Sequence, residues 1–205
     1  MANGEMVVSE KLANPAPLGL AGFGITTLVL NVINAEIIDG DSIGVVLALG
    51  LFYGGLAQLL AGMWEAKKNN TFGFTAFSSY GVFWIGLGTL IILEDNGLVS
   101  EVPPEGMSVY LVAWGLFTTY MFVGTLRISV ALQVVFAGLS VLFYLLAWGQ
   151  HNETVHQIAG YEGLFTAGAA LYASAGGIIN ETWGRDVLPL GVVRRRAAPA
   201  VAAKV

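Results

Sequence analysis

Six long apolar stretches, separated by short polar segments, dominate the chain. They run near residues 18–35, 43–64, 72–93, 108–126, 128–148 and 158–179. Each approaches the roughly 20 apolar residues that an α-helix needs to cross a bilayer. The breaks carry turn chemistry: the longest, residues 94–107, holds Pro103, Pro104 and two glycines. Only Arg127 separates the fourth stretch from the fifth, which predicts a very tight turn. The pattern predicts an all-α integral membrane protein of six transmembrane helices. It divides the chain into an N-terminal segment (1–13), a transmembrane domain (14–183) and a basic tail (184–205).

Within the stretches, uncharged polar residues recur at helical spacing. The first reads Phe23, Thr27, Leu30, Asn31, Asn34 along one face, with Thr26 beside it. The second reads Gly54, Gln58, Ala61, Glu65; the third includes Thr75, Ser78, Ser79 and Val82. The fifth reads Ser129, Gln133, Phe136, Ser140. A serine or threonine satisfies itself on a carbonyl one turn back. The amides of Asn31, Gln58 and Gln133 have more hydrogen-bonding valences, and leaving them unpaired in hydrocarbon costs several kcal/mol. They must face one another, a wet path or a substrate. Six polar lines in one bundle suggest a conduit inside the protomer. At its head, Asn14-Pro15-Ala16-Pro17 places a capping residue before prolines suited to a first helical turn. The positive end of that helix would attract a carboxylate.

Composition agrees with a membrane setting: 56% of residues are hydrophobic and 11% charged, where soluble domains carry about 25% charged residues. The 27 glycines let helices approach closely. With no cysteine, disulfides and thiolate chemistry are excluded. Two early acids and a late first lysine, Lys11, do not read as a cleaved signal peptide. All nine basic residues fall on one side of the six-span reading: Lys11, Lys67, Lys68, Arg127, Arg185, Arg194, Arg195, Arg196 and Lys204. The opposite side holds Glu36, Asp39, Asp41, Glu94, Asp95, Glu101, Glu105 and Glu153. The positive-inside rule then predicts both termini in the cytoplasm. The arginines after residue 193 suit a disordered tail that fixes topology, with lipid headgroups as the other reading.

No lysine, arginine, aspartate or histidine lies mid-span, and Glu162 is the only acid clearly inside one. That excludes a retinal Schiff base, intramembrane haem or metal ligation, a central carboxylate relay and an intramembrane protease. The reading is of a protein that is no enzyme and needs neither cofactor nor metal.

The segment NPAPLGL (residues 14–20) opens the first span. GFGITT (22–27), FYGGLAQLLAGMWE (52–65), NTFGFTAFSSYGVFW (70–84), WGLFTTYMFVGTL (114–126) and a closing GR.VLPLG (184–191) follow in order. In these blocks, from about Leu12 to Gly191, the chain resembles the acetate uptake transporter family, which includes the succinate–acetate permeases. The resemblance implies six helices around a pathway in each protomer, a homo-hexamer in the cell membrane, and acetate or related short carboxylates such as succinate as substrate. It implies no nucleic-acid partner. It also implies a narrow apolar constriction, which falls on Phe23 in GFG, Tyr80 in SSYG and Leu139. Asn14, Thr26, Thr27, Asn31, Gln58, Ser79 and Gln133 are the candidate polar lining. A path without a fixed cation should bind an anion weakly, by a channel-like or proton-coupled route. The acidic outer face would favour neutral acetic acid. A carrier of another solute such as ammonium, or a membrane sensor or scaffold, is the alternative reading.

Overall fold

The structure, a computed structural model, describes residues 12–193. Six helices follow the six predicted stretches: α1 (Ala16–Asn34), α2 (Gly40–Lys67), α3 (Thr71–Asp95), α4 (Pro104–Thr125), α5 (Val130–Gly149) and α6 (Glu153–Trp183). Five of them, α1 to α5, are long and apolar enough to cross a membrane. The sixth has 31 residues, ample length, but Glu162 and its many glycines and polar residues dilute its hydropathy.

Local chemistry sets the helix ends. Asn70 accepts from the Gly73 N–H, Ser129 from Leu132 and Asn152 from Val155, starting α3, α5 and α6. Helix α6 stops at Gly184, whose left-handed backbone (φ 62°) suits glycine. The α4–α5 connection is as short as predicted, a turn at residues 126–128. One feature departs from a plain helix. Residues Phe52–Ala57 of α2 form a π turn. Such wide turns cluster at functional sites, and this one immediately precedes Gln58. Its Gly54 lies against Thr26 of α1, where a Cβ would stand 2.6 Å from the threonine hydroxyl.

Large apolar side chains point outward all round the bundle, among them Phe52, Val109, Leu116, Val123, Trp148 and Phe165. That is the surface of a protein solvated by lipid. Inward, the packed aromatics and aliphatics include Phe23, Tyr80, Phe83, Trp84, Phe136, Leu139 and Phe143. The bundle's core is therefore also the place where a path would run.

After α6 the chain does not trail away. Val130 N–H donates to Gly191 O (2.9 Å) and Ala131 N–H to Leu190 O (3.1 Å), while Ser129 and Val192 form an antiparallel bridge. Asn180 accepts from the Val187 and Leu188 amides, each at 2.8 Å. The expected tail thus begins as a strap over the start of α5, because the first amides of that helix need acceptors. The arginine run expected to form a disordered tail lies outside the described residues, as do residues 1–11.

Candidate functional site

Helix α1 turns one face toward the interior of the bundle, with residues three and four apart opening onto successive spaces. Where α1 begins there is a vestibule of about 410 Å³, lined by Ala16, Leu20, Asn69, Asn70, Phe77 and Phe136 among others. Deeper lies a cavity of about 20 Å³ that includes Leu20, Gln58, Phe77 and Phe136 in its wall. Beyond it lies a second, of about 30 Å³, walled by Thr27, Asn31, Trp84 and Phe143 among others. Each has room for only about one to three waters, since one water needs roughly 10–15 Å³ measured this way. Among the described residues, only Phe23, Tyr80 and Leu139 line both small cavities.

The partition is apolar for a definable reason. The Tyr80 hydroxyl lies 2.8 Å from Thr118 Oγ1, and Thr118 in turn donates to Trp114 O at 2.7 Å. Tyr80 therefore donates its proton into α4 and leaves ring carbon to the path. Its ring is wedged among Phe117 (5.4 Å between centroids), Phe136 (6.0 Å) and Phe23 (6.1 Å).

Each cavity nevertheless has a polar group of its own. Gln58 is fully buried and its Oε1 has no partner. In the second cavity the hydroxyl of Thr27 and the indole Nε1 of Trp84 are also buried and unpartnered. Buried polar atoms are rarely left so; in these cavities water or substrate is the available partner. Asn31 has less to spare. It donates to Thr27 O (2.8 Å) and accepts from Asn34 Nδ2 (3.2 Å). Gly163 makes room for it, since any Cβ there would overlap the Asn31 amide. Asn34 lies one turn outward on the same face and flanks an outer hollow of about 550 Å³ together with Glu36, Asp39 and His156.

Other candidates sit elsewhere. Thr26 donates to Gly22 O (2.8 Å) and packs on the π turn, lining neither cavity. Ser79 is half-buried and also off both. Gln133 reaches back to Thr125 O at 3.5 Å, across the α4–α5 turn. Asn14 is exposed at the α1 end, one residue before the cap position, and accepts from Ala16 N–H (3.2 Å) and Lys68 Nζ (3.4 Å). With Ala16 satisfied and Pro17 lacking a donor, the start of α1 has less free N–H than its sequence suggested. Among the described residues, no charged side chain lines either small cavity. Trp84 is the residue that reading the sequence missed. A tryptophan in an apolar stretch reads as core or lipid anchor, and its unpartnered N–H shows only in three dimensions.

The sequence model of the GPR1/FUN34/yaaH family matches residues 2–187. The chain is 49% identical to the Succinate-acetate/proton symporter SatP of Escherichia coli, over 89% of this chain and 97% of that protein. It is 41% identical to Acetate permease A of Emericella nidulans, over 90% of this chain and 67% of the permease. Among solved structures, that of the bacterial acetate channel SatP superposes with a TM-score of 0.86 at 49% identity, covering 88% of this chain and all of the other (100%).

Proposed function

The chain belongs to the GPR1/FUN34/yaaH family of multi-pass membrane proteins, and from this we propose that it passes acetate, and related short carboxylates such as succinate, across the cell membrane. The observation that carries the proposal is the pair of small uncharged cavities meeting at Phe23, Tyr80 and Leu139. These three form the neck, with Gln58 on one side and Thr27, Asn31 and Trp84 on the other. A two-carbon acid fits such spaces in single file, its methyl against the neck.

Magnitudes favour the neutral acid at the neck. Moving a bare carboxylate into a medium like protein interior costs tens of kcal/mol without a partner, against roughly 2–7 kcal/mol for a neutral polar group. No cation waits there to offset the difference. Gln58 Oε1 accepts a hydrogen bond from the acid's O–H, and the Trp84 N–H donates to its carbonyl oxygen beyond. The polar groups thus hand one small acid across an apolar gap.

Acetate flux into proteoliposomes of the purified protein tests the reading. Uptake is expected to rise as external pH falls toward the acid's own pKa, because each pH unit above that value cuts the neutral share about tenfold. Flux indifferent to pH, or faster in alkaline buffer, contradicts it.

A further inference from the structure

Among the described residues, Glu162 is the one carboxyl set well inside a span, the buried Glu65 lying at the end of α2 beside Asn70, and the pathway does not use it. Glu162 lies on α6 facing α5. Its Oε1 accepts from the fully buried Thr166 hydroxyl at 2.8 Å, while its Oε2 is buried with no partner. The carboxyl sits over Gly138: a Cβ there would come within 3.0 Å of Oε1 and would overlap Thr166 Oγ1. The absence of a side chain at 138 makes this seat. The residue next to Gly138 in α5 is Leu139, at the neck.

Among the described residues, nothing near it compensates a charge. Helix α1 has no titratable side chain. The one such group on α5 is Tyr144, which pairs with Thr119 of α4 at 3.1 Å. On α6 itself, Tyr161 faces outward, Tyr172 donates to Pro189 O and His156 lies at the outer hollow near Glu36. Glu162 is half-buried as a residue, but its Oε2 is enclosed, and an enclosed carboxylate oxygen without a hydrogen bond or cation is costlier than the neutral acid. A charged carboxylate would gain by leaving this seat for water, and leaving would remove a contact on Gly138, the neighbour of Leu139 in α5.

Building on the proposed passage of acetate, we propose that Glu162 is a proton-binding residue inside the membrane that positions Leu139 through Gly138 and so makes the neck sensitive to pH. It is a positioning residue and does not touch the substrate.

Two measurements on the full chain in liposomes test this. Dicyclohexylcarbodiimide reacts with protonated carboxyls in apolar surroundings. Peptide mapping should find label on Glu162 that falls about fivefold or more from mildly acidic to alkaline buffer, as a single titrating site requires. No label there, or label independent of pH, overturns the proposal. The second is acetate flux measured across pH at a fixed concentration of undissociated acid, which removes the substrate's own titration. Glu162→Gln keeps the seated shape without a titrating proton, and should hold in alkaline buffer the rate that the wild type shows only in acid. A wild-type profile that is flat under these conditions, or a variant that titrates with it, overturns the proposal. Gly138→Ala, which blocks the seat, should also lose the wild-type profile while remaining folded by circular dichroism; keeping that profile counts against the coupling. A wild type with no acetate flux would sink the transport reading instead, and leave the labelling result to stand on its own.

Discussion

At the scale of single residues, Tyr80 joins two roles that substitution can separate. Its ring lies where the two small cavities meet, the neck we propose, and its hydroxyl anchors that ring to Thr118. Tyr80→Ala removes the ring and should relax size selection, so that larger acids compete with acetate in the liposome assay. It should also lower stability by about 3–5 kcal/mol, as truncating a buried aromatic does. Tyr80→Phe keeps the ring and loses one buried hydrogen bond, a cost of about 1 kcal/mol. Discrimination between acetate and larger acids should survive it. If Tyr80→Ala discriminates like the wild type, the neck has been placed wrongly. The amides show how far residue types alone can be read. Gln58 and Asn31 were legible as polar groups needing a partner, and each lines one of the two small cavities. Gln133 carried the same signal and is turned to the α4–α5 link. Adjacent Thr26 and Thr27 differ by one helical step, about 100°. That step puts one on the π turn and the other in the cavity, and only the packing of α1 decides which.

At the scale of elements, the spans were legible because a run of about 20 apolar residues can satisfy its backbone in lipid only as a helix. The π turn in α2 was not, since its glycines read equally well as ordinary close-packing positions. The closing strap was hidden for another reason: its partners, the first amides of α5, are far away in sequence. Asn180 holds this strap with three hydrogen bonds, to the Val187 and Leu188 amides and to Leu188 O, each at 2.8 Å. Asn180→Ala should therefore destabilise the protein by about 2–3 kcal/mol, from two to three such bonds at roughly 1 kcal/mol each. A thermal melt in detergent measures it. An unchanged melting temperature would mean that the strap is held by Leu190 against Gly176 and Tyr172 against Pro189 rather than by Asn180.

At the scale of the molecule, an even number of passes brings the beginning of α1 and the end of α6 to one side. Ser174 near the end of α6 donates to Pro17 O at 2.7 Å. The charge partition predicts that this side faces the cytoplasm. The chain has no cysteine, so single substitutions report cleanly. In intact cells, Ser100→Cys should react with an impermeant maleimide, whereas Ala13→Cys should react only after permeabilisation; the reverse pattern would invert the topology. A homo-hexamer, as the family resemblance implies, would cover part of the apolar outer face, and cross-linking in membranes would count its subunits.

What the sequence determined by itself was whatever depends on counting and sign. Span length, the side on which the cations fall and the absence of any mid-span cation follow from solvation costs that act on each residue type wherever it sits. The motif blocks added Phe23, Tyr80 and Leu139 as residues to watch. Tertiary structure alone decided which side chains share a cavity, because that depends on helix rotation and approach, set by contacts between distant segments. It brought Gln58, Thr27 and Trp84 to the two sides of one three-residue partition. It also seated Glu162 on Gly138, next to that partition and outside the path.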